Sequence, residues 1–148
     1  MTTLTRDTAI STLPGAAGSH APLLRNTAEL TGRVLLVALF AISGFGKIAA
    51  YDATAGYMTA MGVPAIALPL VIGLELLGSI AIVLGWHTRV VAFLLAGFTL
   101  LTGIAFHANF ADQVQTIMFL KNVSIAGAFL MLVANGAGAF SLDARAAK

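Results

Sequence analysis

The chain has 148 residues, 59% of them hydrophobic and only 9% charged, with a mean hydropathy of +0.95. A soluble domain carries about 25% charged residues and could not cover its surface with so few, so an ordinary cytosolic enzyme and a disordered chain are both excluded. The net charge is only +2 and no polybasic run exists to grip phosphates, which excludes a nucleic-acid binder. The absence of cysteine excludes a disulfide scaffold, a thiolate metal site and an intrinsic redox dithiol. What remains is a small multi-pass membrane protein of one domain.

Residues 1–22 are rich in Thr, Ser, Ala and Gly and contain two prolines. They have no basic start followed by an apolar core, so they read as a flexible cytoplasmic tail rather than a cleaved signal peptide. The membrane domain then runs over residues 23–143, with 144–148 a short second tail. A membrane helix needs about 20 apolar residues, and four stretches qualify, at about 30–48, 64–84, 88–106 and 116–133.

Arg33 and Lys47 bracket the first stretch and can snorkel toward its ends. Gly62-Val-Pro64 opens the second stretch with a proline in its first turn. Residues 51–63 between them read as a loop. Gly85-Trp-His-Thr88 forms a tight hairpin, with Thr88 a candidate N-cap for the third. His107–Gln115 links the third and fourth, and Gly136-Ala-Gly138 ends the fourth. The runs are too long for strands and lack alternation. The expected fold is all-α, an antiparallel four-helix transmembrane bundle. Six of the eight basic residues (Arg6, Arg25, Arg33, Arg89, Arg145, Lys148) fall on one side, which puts both termini in the cytoplasm.

Ionisable groups inside a bilayer are costly and face a partner or a cavity. Arg33, Val37, Phe40, Gly44 and Lys47 form one stripe of the first helix. Glu75 shares a face with Gly78 and Ser79. Ala92, Ala96, Thr99, Gly103 and His107 form a third stripe, and Lys121 aligns with Ser124 and Ala128. Small faces mark helix contacts in membranes, so all four stripes should converge inside the bundle, leaving Val91 on the lipid side. At 1.5 Å rise per residue Glu75 sits near mid-span, with Lys121 to one side of its own midpoint and Arg33 about 9 Å to the other. Either cation could pair with Glu75, and the pair could equally do no more than fix helix order. Lys47, His107, Asn122 and Ser43 cluster in the outer half above it, where Lys47 and His107 also suit plain interfacial positions. Trp86 and Tyr51 read as belt residues, and Met58 and Met118 as fill.

Some chemistries fail on geometry. His87 and His107 lie about 30 Å apart at opposite ends of one helix, which excludes a bis-histidine haem. No histidine–carboxylate cluster has metal-ligand spacing. A quinone is permissible, because His107, Lys121, Asn122 and Ser43 can donate to its carbonyls and Glu75 can exchange a proton.

The fragments Gly32-Arg33, Phe40-Ala-Ile-Ser43-Gly44-Phe-Gly-Lys47, Gly62-Val-Pro64, Leu74-Glu75-Leu-Leu-Gly78, Gly85-Trp-His-Thr-Arg89, His107, Phe119-Leu-Lys121-Asn122 and Gly138-Ala-Phe140-Ser-Leu-Asp143 together resemble the DoxX family of small four-helix bacterial membrane proteins. The resemblance covers about residues 24–143. It departs at Ala139, where a basic residue is expected. It implies a multi-pass plasma-membrane protein, commonly labelled an oxidoreductase. Glu75 and Lys121 would be its chemical groups, with Arg33, Ser43, Gly44, Lys47, His107 and Asn122 its binding groups and no metal. The first reading is a redox-accessory subunit that binds a quinone-like molecule. Its rivals are a non-catalytic module that docks a soluble oxidoreductase, and a carrier of a small molecule or protons, which would need a homo-oligomer.

Overall fold

The computed structural model describes residues 21–147. Of the tail expected over residues 1–22, all but the last two residues therefore lie outside the described residues. The helices are α1 (Ala21–Ala49), α2 (Tyr51–Ala60), α3 (Leu68–Leu84, preceded by a single 3-10 turn at Ala65–Ala67), α4 (Thr88–His107), α5 (Gln113–Asn135) and α6 (Leu142–Ala146). No strand occurs among the described residues. Four helices are long and apolar enough to cross a membrane: α1, α3 with its leading turn, α4 and α5. They run antiparallel in chain order, α1 against α3, α3 against α4 and α4 against α5. Each covers its expected stretch, and α1 starts about three turns earlier than expected. One bundle end carries α2, and the other carries the hairpin at Gly85 and the C-terminal tail.

Lipid tails are as apolar as leucine, so close contact between small residues must seat these helices. One glycine does so at each neighbouring pair. A Cβ on Gly44 would lie 2.7 Å from Leu76 Cδ2 of α3, one on Gly78 would lie 3.2 Å from Leu95 of α4, and one on Gly103 would lie 3.1 Å from Asn122 Cβ of α5. The core beneath comprises Val37 and Phe40 of α1, Ile82 of α3, Leu95 and Ala96 of α4, and Ala126 and Phe129 of α5. The Phe40 ring meets the edge of Phe129 at 5.4 Å and tilts against Phe98 at 6.5 Å, so α1 closes the bundle onto α4 and α5.

Three of the four expected stripes are inside. Arg33, Val37, Phe40 and Gly44 are buried, as are Glu75, Gly78 and Ser79, and Ala92, Ala96, Thr99 and Gly103. The fourth is not. Lys121, Ser124 and Ala128 are exposed, because α5 turns Ala126 and Phe129 inward instead. Val91 also departs from expectation. It is half-buried against the core, and the exposed face of α4 carries Val90, Phe93 and Leu94.

Candidate functional site

Two charged groups of α1 lie fourteen residues apart on one stripe, and they meet different surroundings. Arg33 is 1% exposed. Its Nη1 donates to the carbonyls of Ile82 and Val83, each at 2.9 Å, and its Nη2 donates to the carbonyl of Phe140 at 2.5 Å. The first two carbonyls lie in the last turn of α3, where helical donors run out and only Ile82 O also accepts from the Gly85 N–H, at 3.2 Å, and the third carbonyl belongs to the returning C-terminal tail. Arg33 therefore ties α1, α3 and the tail together.

Asp143 reinforces that knot. Its carboxylate accepts from the backbone N–H of His87 at 2.8 Å and of Thr88 at 2.9 Å, while its own N–H donates to Gly85 O at 2.9 Å. The expected cap from Thr88 is replaced by this carboxylate from the far end of the chain. His87 precedes the helix with φ 46°, and its side chain makes no cap. Burial would push the Asp143 carboxyl up, but donation from Thr88 and His87 outweighs it and holds the group below its ordinary value of 3.8. Gly138, at φ 76°, lets the tail pass against Glu29, whose carboxyl occupies the place of a Cβ.

At the other end a cavity of about 710 Å³ lies between the α1–α3 pair and the α4–α5 pair. The Glu75 carboxylate stands on its α3 wall, with a side chain 5% exposed. Lys47 Nζ donates to both of its oxygens, at 2.8 and 2.9 Å, and also to Ser43 Oγ. Ser43 in turn donates to Glu75 Oε1 at 3.2 Å. Phe40 and Phe98 form apolar lining below, and Lys121, Asn122 and Ile125 form the α5 wall. His107 Nδ1 lies at hydrogen-bond distance from Gln115 Oε1, 2.8 Å, which fixes the ring at the cavity rim. Asn122 Nδ2 donates to Met118 O at 3.0 Å and so keeps its carbonyl oxygen for other partners.

Six of the eight candidate residues thus share one cavity: Ser43, Lys47, Glu75, His107, Lys121 and Asn122. Two do not. Arg33 is spent on carbonyls at the opposite end, and Gly44 faces Leu76 as a helix contact. The partner expected for Glu75 was Lys121 or Arg33, and it is Lys47. Lys47 belongs to the helix packed directly on α3, so its stem descends to the carboxylate rather than rising to the membrane surface.

The segment expected as a loop also supplies lining residues. α2 sets Thr54, Tyr57 and Met58 over the cavity. Tyr57 stacks on Phe106 of α4 at 5.5 Å and 22°, and Met58 is buried. The signals for this helix were Asp52 in its first turn, three alanines, and Gly62 with Pro64 as a stop. Ten residues without an apolar stripe concealed it.

The DoxX family pattern matches residues 28–108. The inner membrane protein YqjF of Escherichia coli (strain K12) is 50% identical over 120 residues, covering 81% of this chain and 92% of its own length. The inner membrane protein YphA of the same organism is 42% identical over 123 residues, covering 78% and 88%. No solved structure matches the chain.

Proposed function

This chain belongs to the DoxX family and is an integral inner-membrane protein, and from that premise we propose that it binds a quinone-like lipophilic molecule in the cavity at its α2 end, as the membrane subunit of a redox system. The observation that carries this reading is the hydrogen-bonded Glu75–Lys47–Ser43 group set into a largely apolar cavity of about 710 Å³. Ligand sites are concavities of about 300–1,000 Å³, largely apolar, with a few placed polar groups. The donor set fits a ring with two carbonyl oxygens, since Lys121 and the second Nδ2 hydrogen of Asn122 can each donate and the apolar walls can hold the ring and chain.

A bound quinone would supply the two-electron chemistry, for which this cysteine-free chain has no thiol of its own. The chain's own residues bind, orient and handle protons. Phe40 and Phe98 wall the ligand from the core. Lys47 holds Glu75 in one orientation and can relay a proton between the carboxylate and a ligand oxygen. Tyr57 and Met58 cover the cavity and restrict water.

Protein purified from its native membrane should retain a quinone, identified by mass spectrometry of the organic extract. Glu75→Gln should fold, keep its helix content, and lose proton uptake linked to reduction of the added quinone. Absence of any quinone from the purified protein, together with failure of an added short-chain quinone to bind, would sink the reading.

A further inference from the structure

The cavity's charges do not balance. Two ammonium groups, Lys47 and Lys121, face it with one carboxylate, Glu75. Lys47 and Glu75 neutralise each other at 2.8 Å. Lys121 Nζ has Met118 Sδ at 4.0 Å as its recorded neighbour. Among the described residues no carboxylate lies within 4.0 Å of it. Lys121 is eight residues into α5, about 12 Å along the helix from its start, at a depth where an unpaired charge is costly. One positive charge is thus left on the α5 wall, beside the Asn122 amide and across from an already neutral α1–α3 wall.

We propose that the ligand of this cavity is an amphiphile with a single anionic oxygen headgroup, a carboxylate or an acidic ring hydroxyl, which pairs with Lys121 while its apolar body lies against Phe40, Phe98 and Ile125. This rests on the reading of the cavity as the ligand site and narrows the ligand's chemistry. A single negative charge matches the single surplus cation. A phosphate monoester, with a charge of about −1.5 to −2 at neutral pH, does not. A neutral ligand leaves Lys121 without a counter-charge, and a cationic one adds to the imbalance. A hydrogen bond between the ammonium and an anionic oxygen is charge-assisted and stronger than one to a neutral oxygen.

The test uses the full chain in a nonionic detergent, with decanoate, decanol and decylbenzoquinone as probes and calorimetric titration as the readout. Decanoate should bind about tenfold or more tightly than decanol, the discrimination expected of one ionic hydrogen bond. Lys121→Met should abolish that ratio and Lys121→Arg should keep it, each with an unchanged melting temperature. The comparison of probes on the unmodified chain needs no variant, so a folding failure does not protect the inference. Equal binding of decanoate and decanol, or a ratio unaffected by Lys121→Met, would overturn it and leave Lys121 as a side chain that snorkels to the membrane surface. Decylbenzoquinone separates the two proposals. If it fails to displace decanoate, the quinone reading falls and the anionic ligand stands. If it binds while decanoate and decanol do not differ, the quinone reading stands and the anionic ligand falls.

Discussion

Arg33 and Lys47 occupy the same stripe of the same helix, yet one end of the bundle is a lock and the other is a cavity. At the Arg33 end the chain brings three backbone carbonyls to the guanidinium and a carboxylate to the start of α4, and the space is filled. At the Lys47 end the ammonium meets a single carboxylate, and the pair borders open volume. An intramembrane charge is therefore not by itself a sign of chemistry. What separates the two is whether the charge is tied to backbone carbonyls or to a side chain that borders empty space.

The largest effect is expected where the lock is broken. Arg33→Met leaves the carbonyls of Val83 and Phe140 without their donor and Ile82 O with only the Gly85 N–H, and with about 1–3 kcal/mol at stake for each buried unsatisfied group the protein should melt far earlier in detergent. Wild-type stability of this variant would show that the tail is not held by Arg33. Gly44→Leu should come next, because its side chain would drive into Leu76 of α3. Overpacking costs about 1–3 kcal/mol or more. Val90→Leu, on the exposed face of α4, is the matched control and should leave yield and melting unchanged.

The cavity end should be softer. A double-mutant cycle of Glu75→Gln with Lys47→Met should give a coupling of about 0.5–3 kcal/mol, and the same cycle with Arg33→Met should give none, since the two sites share no partner. Coupling to Arg33 instead would merge the two ends that the structure keeps apart. Asp143 adds a pH dependence to the lock alone. Its folded value is depressed, so its stabilisation is fully present above the ordinary carboxylate value of 3.8 and is lost as pH falls through the lower folded value. Wild type should lose about 1 kcal/mol, the worth of a helix cap, on acidification below that range. Asp143→Asn should lack this component at every pH. The last prediction costs no stability and assigns the two ends to compartments. Reporter fusions after Arg89 and Arg145 should read cytoplasmic and one after Asp52 external, because among the described residues Arg25, Arg33, Arg89 and Arg145 lie toward the Arg33 end and Lys47 toward the α2 end. A cytoplasmic signal from the Asp52 fusion would invert the bundle.

The four spans, their order and three of their inward faces were legible in the sequence. Length and apolarity decide which segments can cross a bilayer, and the spacing of small and polar residues along a helix decides which face can approach another helix. Position along each span likewise gathered Ser43, Lys47, His107 and Asn122 in the outer half, above Glu75 at mid-span, since depth follows from that position. Rotation of the helices about their own axes was decided only by tertiary packing. Phe129 and Ala126 took the inner face of α5 and turned Ser124 and Ala128 outward, which left Lys121 at the cavity's edge. The choice of Lys47 rather than Lys121 or Arg33 for Glu75 followed from α1 lying directly on α3, a neighbour relation that no periodicity encodes. The cap from Asp143 and the cover from α2 were hidden for a related reason. A carboxylate 55 residues from the N–H it accepts, and a ten-residue helix held by one stacked tyrosine and one buried methionine, leave no periodic trace in the chain.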